Sequence, residues 1–87
     1  MSDWDRFLKN FARVLRQRRL SLGLSQQKLG EKVGFQRTYI ADIERCARAT
    51  TLKNAWKLAL SLDVHLSVLI SEAEGLSSQS KKERKPR

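Results

Sequence analysis

Apolar residues return at three- and four-residue spacing near the start of the chain: Phe7, Leu8, Phe11, Val14 and Leu15, with basic residues between them. That period marks one face of a helix. Neither Gly nor Pro interrupts it between Trp4 and Leu22, so a first helix is predicted there, its aromatic positions Trp4, Phe7 and Phe11 completing the core. Gly23 suits the left-handed conformation at a helix end, and Ser25 is a good N-cap for a second helix running to Val33. Gly34 closes that helix in the same way. Helical spacing then resumes from Arg37 to Arg45 through Tyr39, Ile40 and Ile43, which gives two short helices joined by a tight turn.

Thr51 can cap a fourth helix, ending near Asp63, whose inward face would hold Leu52, Ala55, Trp56, Ala59 and Leu60. Val64, Leu66, Val68, Leu69 and Ile70 are too apolar for a solvated tail and predict a short fifth helix from about Leu66. No segment requires a strand. After Gly75 the chain turns to Ser, Gln, Lys and Arg, and Lys81 to Arg87 holds five bases, one acid and no apolar residue. The expectation is an all-α, compact five-helix domain over residues 1–75 and a disordered basic tail over 76–87.

Composition narrows the function. A chain of 87 residues buries about 60–65% of its unfolded surface, enough for one core and too little for a deep cleft. Its 18 Lys and Arg against 9 Asp and Glu give a net charge of +9, which favours a polyanionic partner such as DNA, RNA or acidic membrane, with nucleic acid first. Residues 1–76 alone carry 13 bases and 8 acids, so the folded part is basic in its own right. Cys46 is the one cysteine and His65 has no ligand-like neighbour, so neither a disulfide nor a metal site is expected, and Cys46 reads as an inert residue at a helix end. With one His, one Cys, scattered acids and no Gly-rich phosphate loop, no catalytic constellation or cofactor site is expected. The acidic N-terminus and the lack of a long apolar run predict a cytoplasmic, nucleoid-associated protein rather than a secreted or membrane one.

Three runs carry a resemblance: Arg19-Leu-Ser-Leu-Gly-Leu-Ser25-Gln26, Gln27-Lys-Leu29-Gly30-Glu-Lys-Val33-Gly34, and Arg37-Thr38-Tyr39-Ile40-Ala-Asp42-Ile43-Glu44-Arg45. Over roughly residues 11–72 the chain resembles the Cro and phage-repressor, or XRE-like, helix-turn-helix family. The Arg37-Thr-Tyr-Ile run with Ile43-Glu44-Arg45 is especially similar to the controller proteins of restriction-modification systems. Independently of the family, Leu29, Val33, Ile40 and Ile43 are spaced so that two crossed helices share an apolar seam. A large side chain at position 30 would push those helices apart. The family usually has Ala there, and Gly30 is expected to lower helix stability by up to about 1 kcal/mol without changing the geometry.

A helix laid in the major groove reads base edges with the residues of its first turns, and Arg37 is the donor placed for a bidentate contact to guanine. The resemblance implies further base or phosphate contacts from Gln36, Thr38, Tyr39 and Asp42, the last accepting from cytosine or orienting Arg37 or Arg45. It implies a phosphate contact by Gln26, supported by Gln27, at a helix N-terminus. Arg45, Arg48 and Lys53 would touch the sugar-phosphate backbone, and Arg19 with Glu44 would form a partly buried ion pair. The loop departs from the family: Cys46 stands where Gly or Asn is common, and Ala49-Thr50 replaces the frequent Asn-Pro.

One recognition helix reads few base pairs, so two copies on half-sites about 34 Å apart are expected. The homodimer interface is placed on Leu66, Val68, Leu69 and Ile70, with Leu76 as a further member. The function read from all this is a transcriptional regulator binding a palindromic operator in double-stranded DNA, touching RNA polymerase if it activates. The rival is an antitoxin-type protein that also binds a toxin. Binding driven by charge alone would give Arg37 no more weight than any other base.

Overall fold

The computed structural model describes residues 2–77. Its helices are α1 (Asp3–Ser21), α2 (Gln26–Val33), α3 (Arg37–Glu44), α4 (Leu52–Ser61) and α5 (Leu66–Ser77). Among the described residues there is no strand, and no helix is long and apolar enough to cross a membrane.

Polar caps set the helix starts. The Ser2 hydroxyl accepts from the Asp5 amide at 3.0 Å while the Asp5 carboxylate accepts from the Ser2 amide at 3.4 Å, a capping box that begins α1 ahead of its apolar stripe. Ser25 and Thr51 cap α2 and α4 by accepting from the amides of Lys28 and Asn54, each at 3.0 Å. α3 starts without such a cap: Gln36 stands at its N-cap with no side-chain bond.

One device ends the first four helices. Gly23, Gly34, Cys46 and Asp63 have φ of 71°, 87°, 62° and 59°. After each, an amide folds back to a carbonyl five residues earlier: Leu24 to Arg19, Phe35 to Gly30, Ala47 to Asp42 and Val64 to Ala59. Cys46 thus adopts a conformation that costs a side-chain-bearing residue about 1–2 kcal/mol. Its thiol lies 3.8 Å from the Leu8 carbonyl oxygen of α1.

The core gathers Leu15 of α1, Leu29 of α2, Ile40 and Ile43 of α3, Leu58 of α4 and Leu69 of α5, all fully buried. α1 packs chiefly along α5, and α2 against α3. Phe11 is buried, Phe7 packs on the core from its edge, and Trp4 stays 57% exposed, so the aromatic stripe joins the core only in part.

Three expectations change. The inward face of α4 is Ala55, Leu58 and Ala59, with Leu62 just after it, whereas Leu52, Trp56 and Leu60 are 78%, 52% and 55% exposed. Two alanines among the buried positions let α4 approach closely, and Trp56, the bulkiest residue of the helix, is turned outward. Leu69 is fully buried in its own chain, which removes it from the surface where a dimer contact was placed. α5 continues to Ser77, past the boundary expected at residue 75. The basic tail from residue 78 onward and the side chain of Leu76 lie outside the described residues.

Gly30 is confirmed as a point of close approach, with less room than expected. A Cβ built on it would stand 2.5 Å from the Phe35 carbonyl oxygen in the turn.

Candidate nucleic-acid interface

The α2–turn–α3 unit is held to α1 by a charged knot. Arg19 donates from Nε and Nη2 to the two carboxylate oxygens of Glu44 at 2.7 and 2.9 Å, and from Nη1 to the Leu24 carbonyl at 2.7 Å. The side chains are 7% and 4% exposed, so the pair is desolvated, and its bidentate geometry offsets that cost. The hydrogen bond to Glu44, opposed by burial, holds the Arg19 guanidinium above its already high ordinary pKa. The expected ion pair is present.

From Glu44 the network runs outward. Gln26 Nε2 donates to Glu44 Oε1 at 3.1 Å, which turns the amide oxygen of Gln26 toward Arg37, whose Nη1 donates to it at 3.5 Å. The buried pair therefore supports the first residue of α2, which in turn meets the first residue of α3. Gln26 keeps one amide hydrogen for a further acceptor such as a phosphate. Gln27 instead donates to Glu31 of its own helix at 3.3 Å.

Arg37, Thr38 and Gln36 are exposed at the start of α3. The side chain of Gln36 makes no cap bond, while its carbonyl accepts from the Tyr39 and Ile40 amides, so the Arg37 and Thr38 amides have no side-chain cap from Gln36 beside the exposed guanidinium. Asp42, one and a half turns on, accepts from Arg45 Nη2 at 2.8 Å and lies 3.8 Å from Arg48 Nε. It gathers two arginines at the exit of α3 and makes no bond to Arg37. Lys53 is exposed on the first turn of α4.

Tyr39 is locked rather than free. Its hydroxyl accepts from Asn54 Nδ2 at 2.9 Å and pairs with Thr50 Oγ1 at 2.9 Å. Phe35 meets its ring edge-on at 5.0 Å, and the Arg48 guanidinium lies 5.1 Å from the ring centroid. The ring thus spaces α3 from the loop and presents Arg48 on its face. Asn54 and Phe35 were not singled out in the sequence, and Thr50 only as part of the loop's departure from the family. Only the Thr51 cap, which puts Asn54 on the first turn of α4, hinted at one of them.

The structure therefore brings Gln26, Arg37, Thr38, Asp42, Arg45 and Arg48 onto or around one exposed face, with Tyr39 as its support. Among the described residues no group of three His, Cys, Asp or Glu could hold a metal. His65 is exposed immediately before α5, its carbonyl accepting from the Val68 and Leu69 amides.

Comparison with known proteins agrees with this geometry. A family model described as helix-turn-helix, HTH_3, matches residues 15–69. The transcriptional regulator SutR of Escherichia coli (strain K12) is 35% identical over 71 residues, 82% of this chain and 38% of that protein, so the chain spans well under half of SutR. The control protein C.BamHI of Bacillus amyloliquefaciens is 44% identical over 55 residues, 62% of this chain and 68% of that protein. The crystal structure of the restriction-modification controller protein C.AhdI from Aeromonas hydrophila superposes with a TM-score of 0.69 at 39% identity, covering 71% of this chain and 94% of that one.

Proposed function

The chain belongs to the HTH_3 (XRE-like) helix-turn-helix family of transcriptional regulators, and from that premise we propose that it binds a palindromic operator as a homodimer, reading bases with the first turns of α3. The observation that carries this is Arg37: it stands exposed at the head of α3, braced by Gln26, which is itself fixed on the buried Glu44. A guanidinium held in this way loses less freedom on meeting guanine O6 and N7 than a free surface arginine would. Thr38 and Asp42 support the same face, and Arg45, Arg48 and Lys53 are assigned to phosphates.

The dimer contact is assigned to the outward stripe of α4, Leu52, Trp56 and Leu60, together with the half-buried Leu66, Val68 and Ile70 of α5. Three large apolar residues at four-residue spacing, one of them Trp, form the kind of patch that a second copy covers. The test of the whole reading is selection of bound sequences from random duplexes at about 150 mM salt, where phosphate-only binding is weak. The expected result is a two-fold-symmetric site for the intact protein, with relaxed preference at one position of each half-site for Arg37→Ala. Enrichment of no site would replace this reading with a protein-partner role.

A further inference from the structure

A second basic surface lies outside the recognition face. Lys9, Arg13 and Arg16 stand at four- and three-residue spacing on α1 and are exposed. Together with Arg45 they line a shallow groove of about 480 Å3 whose floor is Ala12 and Cys46. The groove exists because α1 runs alongside the end of α3, tied there by the Arg19–Glu44 pair and by the approach of Cys46 to the Leu8 carbonyl. Among the described residues none of Lys9, Arg13 and Arg16 has an ion-pair partner, whereas Arg6, Arg18, Arg45 and Arg48 all do. The one carboxylate on the groove, Glu44, is already neutralised by Arg19.

We infer that this stripe is a phosphate track: Lys9, Arg13 and Arg16, closed by Arg45, seat the backbone of one DNA strand beside the bases read by α3. The inference rests on the DNA-binding reading and extends its contact surface. Arg45 belongs to both surfaces, so the track is continuous with the recognition face. Seven residues of helix span about 10 Å, and a strand advances about 3.4 Å along the duplex axis per phosphate, so the stripe is about three phosphate steps long and its three cations fall within a run of about four consecutive phosphates. The stripe offers no exposed aromatic or apolar anchor of the kind that dominates protein–protein hot spots, which favours a regular polyanion over an acidic protein segment.

The experiment uses the operator recovered by selection. Affinity is measured against salt concentration for the full chain and for a Lys9→Gln, Arg13→Gln, Arg16→Gln variant, on duplexes in which single phosphates are replaced by neutral methylphosphonates. Each lost contact should reduce the log–log salt slope by about 0.9 per protomer. About three phosphates that matter to the intact protein should become silent in the variant, while base preference stays the same. Arg13→Lys with Arg16→Lys should keep the slope, and Arg13→Gln alone should lose one contact's worth. A slope lowered with no phosphate becoming silent would mean a diffuse charge effect, and an unchanged slope would leave the groove to an acidic protein. Either result overturns the track while the operator itself stands; failure to recover any operator would instead overturn the regulator reading.

Discussion

Arg19 and Glu44 join fold and function at a single pair. Replacing one partner strands the other charge in a site where both side chains are under 10% exposed, and Glu44→Gln is expected to destabilise by about 3 kcal/mol, within the range for broken buried pairs. Removing both charges, as in Arg19→Met with Glu44→Leu, should cost less than the single change, because no ion is left unpaired. Urea unfolding of the three proteins checks the order, and a double variant less stable than Glu44→Gln would refute it. Because the folded pKa of Arg19 is raised, its contribution is fully present below the ordinary arginine range and fades only as pH rises past it. Stability should therefore not fall on Arg19's account between neutral pH and pH 10. The double variant is also expected to relax base preference at the position read by Arg37, since Gln26 loses the acceptor that orients it.

At the scale of elements, Gly30 and Cys46 make opposite predictions from backbone geometry. Gly30→Ala gains up to about 1 kcal/mol of helix propensity, but its methyl would press on the Phe35 carbonyl, and overpacking costs about 1–3 kcal/mol. Net destabilisation is expected, visible as a lower melting temperature. Cys46→Gly removes the left-handed strain and adds chain entropy to the unfolded state, so a gain of under about 1 kcal/mol is expected, visible as a higher urea midpoint. Helix boundaries were readable because Ser25, Gly34 and Thr51 are caps with strong conformational preferences. The phase of α4 was not, because Leu52, Trp56 and Leu60 form as regular a stripe as Ala55, Leu58, Ala59 and Leu62, and only the packing of neighbouring helices, which local spacing does not contain, selects the stripe that carries the two alanines. Arg37 was legible as the first long donor after a turn. The support of Tyr39 by Thr50 and Asn54 crosses a loop whose path no local pattern dictates.

At the scale of the whole molecule, the outward turn of Leu52, Trp56 and Leu60 decides how the dimer is tested. A charge at Leu69 would unfold the core rather than split two copies, because that residue is fully buried. Trp56 is 52% exposed, so Trp56→Glu should leave the monomer folded, with circular dichroism and melting close to those of the parent. If the α4 stripe joins the protomers, sedimentation should give a monomer at concentrations where the parent is a dimer. Loss of the dimer should also separate two affinities. Binding to a single half-site should be nearly unchanged, since α3 and its phosphate contacts are intact, whereas binding to the full operator should lose the gain from linking two recognition helices, a factor of about 100 or more. Inserting about five base pairs between the half-sites, which turns them to opposite faces of the duplex, should weaken the parent in the same way and leave Trp56→Glu unaffected. A Trp56→Glu protein that remained dimeric would move the contact to Leu66, Val68 and Ile70 of α5, whose side chains are half-buried.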